Sequence, residues 1–153
     1  MIKHLFFWLM IILPAATITA QQDNPDYDKA LADTLGADDY GMKQYVLVIL
    51  KTGTNTTQDK QIRDSLFRGH MKNINKLVNE GKLIVAGPLS KNDKAYRGIF
   101  ILNVPTIAEA EKLVMTDPAV QAKIFDMELF QWYGSAALPK YLEYHGRIEK
   151  KKH

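Results

Sequence analysis

The spacing of hydrophobic residues changes twice along residues 44–89, QYVLVILKTGTNTTQDKQIRDSLFRGHMKNINKLVNEGKLIVAGPL. Residues 44–51 are mostly aliphatic and apolar on both faces, which is typical of a central strand. Over residues 61–79 the apolar positions recur every three or four residues, which predicts an amphipathic helix. Residues 82–89 return to a short apolar run that a Gly-Pro pair ends. The stretch therefore predicts a strand, a helix and a second strand.

The rest of the central region extends this alternation of strands and helices. Residues 97–104, RGIFILNV, predict a third strand that pairs with the second as a hairpin. A helix is predicted over residues 106–117, where Thr106 and Glu109 have the spacing of a capping box. Residues 124–133, IFDMELFQWY, alternate in polarity and predict a fourth strand. The order βαββαβ predicts an α+β domain with a ferredoxin-like, four-stranded antiparallel sheet and both helices on one face.

The predicted strands are apolar on both faces. Because one layer of helices covers only one face of a sheet, the second face also needs cover. The sheet of a second copy would provide that cover most simply. The sequence therefore predicts a homodimer joined through its sheet faces.

The first 20 residues have the three parts of a secretory signal peptide. Lys3 and His4 form a charged start, LFFWLMIIL is a short apolar run, and small residues precede a cleavage site that we place after Ala20. The apolar run is shorter than the ~20 residues that span a bilayer. We therefore predict export to the periplasm or the cell exterior, with no membrane span after cleavage of residues 1–20. An uncleaved N-terminal anchor is the alternative interpretation.

Segments of opposite charge flank the central region. Residues 21–43 carry six Asp against two Lys, and residues 135–153 carry five basic residues against two Glu. We interpret residues 21–43 as an acidic N-terminal arm with a short helix that Asp28 caps and Gly36 ends. Residues 135–153 are predicted to be a basic C-terminal tail helix, which leaves one domain at residues 44–134. A short basic tail without a wider basic face does not predict nucleic-acid binding.

The chain has no cysteine, which excludes disulfides, thiolate catalysis and cysteine metal sites. It also lacks a phosphate-binding glycine loop, a dinucleotide fingerprint and a nucleophile elbow. The three histidines after residue 20 are His70, His145 and His153, and their spacing is not that of a metal site. The sequence therefore predicts neither a cofactor nor a metal. A metal held by His70 and carboxylates is an alternative that the single imidazole disfavours.

His70 interrupts the apolar stripe of Leu66, Ile74 and Leu77 on the helix predicted from the central pattern. Imidazole takes and returns a proton near neutral pH when a second group fixes its tautomer. Asp117, at the start of a short helical turn, is the best available partner for His70. Two simpler interpretations stay open: a core imidazole bonded to a backbone carbonyl, and an aspartate that only caps a helix.

Gly69 directly precedes this histidine. Glycine lowers the stability of a helix interior by ~1 kcal/mol relative to alanine. The sequence therefore leaves open whether the helix runs through Gly69 or begins close to His70.

Three segments carry a resemblance to a known family: YVLVILKTG, RGHMKNINKLVNEGKLIVAGPL and EAEKLVMTDPAVQAKIFDMELFQWYG. Together they resemble the YciI-like (YCII-related) family over residues 44–134. The resemblance implies a ferredoxin-like protomer whose sheet forms a dimeric α/β barrel with that of a second copy. It also implies a His-Asp pair that lines a pocket, and the matching positions are His70 and Asp117. One branch of the family resembles dehydrochlorinases that act on chlorinated hydroxyquinols.

The chain departs from the family pattern after its Asp-Pro pair. Ala119 stands where family members often carry an aromatic residue, and Lys123 stands where they often carry glycine. The pocket is therefore expected to differ in size and charge, and the substrate of a studied branch does not transfer to this chain.

These observations lead to a hypothesis with two alternatives. The hypothesis is an exported YciI-like homodimer in which Asp117 orients His70 as general base or acid on a small organic molecule. A His-Asp pair without a cofactor is suited to elimination or isomerisation. The alternatives are a module that binds a small molecule without turnover and a purely structural homodimer, so whether the protein is an enzyme stays open.

Overall fold

The computed structural model describes residues 24–151, which are built around one antiparallel sheet. Its strands are β1 (Met42–Thr52), β2 (Leu83–Pro88), β3 (Tyr96–Leu102) and β4 (Phe125–Ser135). They lie in the order β2-β3-β1-β4, and each neighbouring pair is antiparallel. The order places the two sequence-adjacent strands β2 and β3 together at one edge and β1 in the interior. The predicted α+β, ferredoxin-like fold is confirmed.

Five α-helices lie within the described residues. They are α1 (Lys29–Leu35), α2 (Lys60–Asn79), α3 (Ile107–Val114), α4 (Pro118–Gln121) and α5 (Leu142–Ile148). Helix α2 continues through Gly69, so the alternative in which it begins close to His70 is wrong. Asp59 starts α2 by accepting hydrogen bonds from the backbone of Gln61 and Ile62, and burial of Leu77 outweighs the ~1 kcal/mol that the glycine costs.

The helices cover the sheet face that carries Val46, Val48 and Leu50. These three side chains are at most 2% exposed. They form one cluster with Leu77 of α2 and Val114 of α3, so both helices pack on the same face. The predicted arrangement of helices is confirmed, and the sheet-facing side of α2 is the side that carries His70.

The opposite sheet face is apolar in its middle. Leu47 and Ile49 alternate with the buried residues of β1 and therefore point away from the helices. Leu47 pairs with Ile101 of β3 on one side and with Phe130 of β4 on the other. Phe130 is 48% exposed. A single chain thus presents apolar side chains on a face that its own helices do not cover.

A charged pair lies at one end of this same face. Lys51 Nζ is 2.8 Å from Glu128 Oε1, and the Tyr96 hydroxyl donates to Glu128 Oε2 at 3.3 Å. The hydrogen bond with Lys51 lowers the pKa of Glu128 and, reciprocally, the one with Glu128 raises the pKa of Lys51. The uncovered face is therefore apolar in the middle and polar at this end.

The N-terminal arm is joined to the sheet by Asp38. One oxygen of its carboxylate accepts from the backbone N–H groups of Tyr40 and Met42, and the other accepts from the Tyr133 hydroxyl of β4. The bond with Tyr133 lowers the pKa of Asp38, and it raises the pKa of Tyr133 to about 12. The predicted start and end of the arm helix also hold, because Asp28 caps α1 and Gly36 ends it with φ 68°.

We expect Tyr133→Phe to lower the melting temperature by an amount that depends on pH. Because the pKa of Tyr133 is raised, its hydrogen bond contributes fully to stability below pH 10, the ordinary tyrosine pKa. This contribution is lost as the pH rises toward about 12. The lowered pKa of Asp38 keeps the contribution intact above pH ~4 and removes it in more acidic solution. Melting curves of wild type and variant should therefore differ most between these limits and converge outside them. Tyr40→Phe is the control, because Tyr40 lies in the N-terminal arm beside Asp38 and is 72% exposed. Its melting temperature should not differ from that of wild type in a pH-dependent way.

The C-terminal tail returns to the other edge of the sheet. A 3₁₀ turn over Leu138–Tyr141 leads into α5, and the Tyr141 hydroxyl donates to the Ile84 carbonyl of β2. The structure thus contains a helix in the predicted tail. The predicted signal peptide at residues 1–20 lies outside the described residues. Within residues 24–151, no helix combines the length and the apolar character needed to cross a membrane.

Candidate functional site

His70 lies on the sheet-facing side of α2 within a group of aromatic rings. The ring centroids of Phe67, Phe100 and Phe125 are 6.5, 6.0 and 5.2 Å from that of the imidazole. The His70 side chain is 11% exposed, so only a small part of it reaches the surface. The ring thus has an apolar surround and a narrow opening.

Asp117 begins α4 and is fully buried. Its Oδ1 accepts a hydrogen bond from the Ala119 N–H at 2.9 Å, which caps the helix. Its Oδ2 lies 2.5 Å from His70 Nδ1, a contact between residues 47 positions apart in the chain. The two interpretations of Asp117, cap and histidine partner, therefore describe the two oxygens of one carboxylate. The partner of His70 is this carboxylate rather than a backbone carbonyl.

The contact determines which imidazole nitrogen is basic. An ionised carboxylate only accepts hydrogen bonds, so a neutral His70 ring facing one carries its proton on Nδ1 and keeps a lone pair on Nε2. Nε2 has no hydrogen-bond partner among residues 24–151. No fully buried side-chain nitrogen or oxygen in that range lacks a partner, so Nε2 is the nitrogen that reaches the surface. An imidazole oriented in this way is chemically able to act as a general base.

Gly69 allows α2 and α4 to approach closely at this site. A Cβ atom on Gly69 would lie 2.9 Å from Pro118 Cγ and 3.3 Å from Pro118 Cβ. Pro118 directly follows Asp117, and Gly69 directly precedes His70. The glycine that the sequence marked only as a weak helix residue thus makes room for the His-Asp contact.

We expect Gly69→Ala to destabilise the protein by about 1–2 kcal/mol, although alanine favours a helix by ~1 kcal/mol. The added methyl group must push the rigid proline ring, and Asp117 with it, away from α2. Thermal unfolding measures the loss. Gly146→Ala in α5 is the matched control, since a Cβ there has no neighbour within 4 Å. A Gly69→Ala variant as stable as that control would contradict this role.

The turn from α4 into β4 contains one of the departures from the family pattern. Lys123 has φ 58°, a left-handed conformation in which glycine is the usual residue. Its carbonyl accepts from the Asn55 N–H at 2.9 Å, and the neighbouring Ile124 carbonyl accepts from the Gly53 N–H at 2.8 Å. These bonds fix the loop after β1 against the end of α4 and hold a lysine where the family often has glycine.

Recesses on the described part of the chain include one along the outer face of α2 and one between the arm and residues 136–137. Neither is lined by His70 or Asp117. Within residues 24–151, no group of three or more His, Asp or Glu side chains is placed to hold a metal ion.

Comparison with known proteins adds a family. A family model of the YCII-related domain matches residues 44–133. Among solved structures, the chain is similar to 5-chloro-2-hydroxyhydroquinone dehydrochlorinase from Burkholderia phenoliruptrix AC1100, solved in complex with 2,5-dihydroxybenzoquinone. That similarity has 22% identity and a TM-score of 0.42, and it covers 57% of this chain and 92% of the other. None of the curated proteins matches the chain.

Proposed function

The chain belongs to the YCII-related family, as the family match over residues 44–133 shows, and from this premise we propose that it is an exported homodimer that transfers protons on a small organic molecule. His70 is the general base or acid, and Asp117 holds its ring. The observation that carries the proposal is the 2.5 Å contact between His70 Nδ1 and Asp117 Oδ2, which leaves Nε2 free to react.

The chemistry follows from the state of the imidazole. Nε2 takes a proton from a carbon atom of the bound molecule, and the resulting positive charge is stabilised by the Asp117 carboxylate. The electron pair left on carbon either expels a leaving group, which is elimination, or is reprotonated at a neighbouring carbon, which is isomerisation. Such catalysis supplies ~10²–10⁴-fold in rate. The substrate therefore needs a proton that is already acidified, for example next to a carbonyl or on an electron-poor ring.

The surroundings of His70 indicate what such a molecule presents to the site. Phe67 is 37% exposed and contacts the imidazole edge to face, so it lies at the opening. Phe125 packs against both rings. An apolar group beside the reacting carbon would bury surface against these rings, at ~25 cal/mol per Å² removed from water. We expect an uncharged, apolar region next to the acidic proton.

The proposed homodimer uses the uncovered sheet face. Leu47, Ile49, Ile101 and Phe130 lie together there, and stable soluble proteins rarely leave such a surface in water. A second copy packed face to face would bury these side chains in both chains at once. Export is proposed from residues 1–20 alone, by the composition of their charged, apolar and small-residue parts.

A second candidate function has an observation in its favour. Asp117 is fully buried and the His70 side chain is 11% exposed, which also suits a pair that only joins α2 to α4. In that case the protein is a purely structural homodimer. The two candidates differ in whether a reagent in solution can reach Nε2 of the folded protein.

Chemical modification tests this difference. The mature homodimer is treated with diethyl pyrocarbonate, which acylates accessible unprotonated imidazole nitrogens, and modified peptides are identified by mass spectrometry. We expect His70 to react within about tenfold of the rate of exposed His145 on α5, because Nε2 of His70 is not fully buried. Reaction of His70 only after unfolding would rule out the proposed catalysis. A small molecule that co-purifies and protects His70, but not His145, would further support it.

A further inference from the structure

Asn73 lies one helical turn after His70, on the sheet-facing side of α2. It is 8% exposed. An amide in such a place is costly unless it is hydrogen-bonded. Its side-chain partner within residues 24–151 is Thr116, whose Oγ1 lies 2.9 Å from Asn73 Oδ1. Thr116 is the residue directly before Asp117.

The spacing of these four residues explains why two contacts form side by side. Residues three apart on an α-helix differ by ~4.5 Å in height, and consecutive Cα atoms in a turn are ~3.8 Å apart. His70 and Asn73 therefore meet Asp117 and Thr116 as two neighbouring contacts of 2.5 and 2.9 Å.

Thr116 is itself fixed to the end of α3. Its Oγ1 lies 2.7 Å from the Leu113 carbonyl, and its backbone N–H donates to the same carbonyl at 3.1 Å. The single hydroxyl proton is shared between Asn73 Oδ1 and the Leu113 carbonyl, so the hydroxyl joins the end of α3 to the side of α2. Any movement of this turn along α2 would move the carboxylate that follows it.

We propose that Asn73 and Thr116 are positioning residues whose hydrogen bond sets the height of the α3–α4 turn along α2. The position of the turn maintains the contact between Asp117 Oδ2 and His70 Nδ1. This contact favours the imidazole tautomer in which Nε2 is basic. Neither residue touches the reacting atoms. The catalytic consequence rests on the proposed function, whereas the effect on the imidazole does not.

A purely structural role and a positioning role give different results. Thr116→Val keeps the size of the side chain and removes the hydroxyl, and Thr116→Ser keeps the hydroxyl. We would follow the His70 ring by NMR in the ¹⁵N-labelled mature chain at about pH 8, above the ordinary histidine pKa of ~6.5. The ring nitrogen shifts report which nitrogen carries the proton, and the Nδ1–H signal reports its exchange with water.

We expect wild type and Thr116→Ser to show one tautomer with a slowly exchanging Nδ1–H. In Thr116→Val we expect exchange to be faster by about tenfold, the factor that corresponds to the loss of one hydrogen bond of ordinary strength. Wild-type exchange in Thr116→Val would overturn the proposal. If Thr116→Val does not fold, Asn73→Leu combined with Thr116→Val removes both polar partners and leaves no unpaired amide, so the same signal can be read there.

Failure of the proposed function is distinguishable from failure of this inference. One result is that wild type turns over no compound while Thr116→Val still speeds the exchange of the His70 Nδ1–H. That result would support the positioning role and contradict the proposed catalysis. If a reaction is found, Thr116→Val should lower kcat by about tenfold and leave KM unchanged, because the residue acts through Asp117. A change confined to KM would overturn the positioning role.

Discussion

Replacing His70 with glutamine is expected to lower the rate of proton transfer by ~10²–10⁴-fold, because an amide has no basic nitrogen that can take the proton. The melting temperature should change little. The glutamine amide can donate to Asp117 Oδ2, so the buried carboxylate keeps a hydrogen-bond partner. Steady-state kinetics on any compound that wild type converts, together with thermal unfolding, measures both expectations.

His145→Gln is the matched control, since it makes the same substitution at an exposed histidine of α5. It should keep the wild-type rate. A His70→Gln variant that also keeps this rate would remove the histidine from the mechanism. A variant that loses much stability, in a protein for which no ligand is found, would support the structural homodimer. Unchanged stability with lost ligand binding and no product in wild type would support the binding module.

Gly53→Ala is expected to lower the free energy of unfolding by about 3 kcal/mol, at the upper end of the cost of overpacking. The new Cβ would lie 2.0 Å from the Lys123 carbonyl oxygen and 2.7 Å from its carbon. These are backbone atoms and cannot rotate away as a side chain does. Relief would separate the loop after β1 from the end of α4 and break the bond from the Gly53 N–H to the Ile124 carbonyl.

The measurement is thermal or urea unfolding, with an expected fall in melting temperature of roughly 10 °C. Gly87→Ala in β2 is the control, because a Cβ there meets no atom within 4 Å and its φ is ordinary. The control should stay within ~0.5 kcal/mol of wild type. Equal stabilities for the two variants would show that the loop after β1 does not lie against Lys123 as described.

The strands and long helices were predictable because each repeats a simple pattern along the chain. The aliphatic run of β1 and the period of Leu66, Ile74 and Leu77 in α2 both reflect which side of an element is buried. The passage of α2 through Gly69 was not predictable from these patterns. It depends on packing of the helix against the sheet, which local propensity does not contain.

The candidate site was predictable in part. A histidine within an apolar stripe and an aspartate before a proline are local signals, and both residues lie in the contact. Phe67 also had a signal, since it precedes His70 by three residues on the same helix. The pair of Asn73 and Thr116 had none, because no sequence period relates residues 43 positions apart. Such contacts depend on how two helices meet.

One oxygen of Asp117 caps α4 and the other contacts His70. The presence of this aspartate in a related protein therefore says little about whether that protein is active. Glutamate would move the carboxylate by one methylene, and asparagine would offer one acceptor where two are used. In a relative without catalytic activity, aspartate would still stabilise the short helix by capping it. The aspartate alone is therefore a poor marker of activity among relatives, and the residue that faces it must be compared together with it.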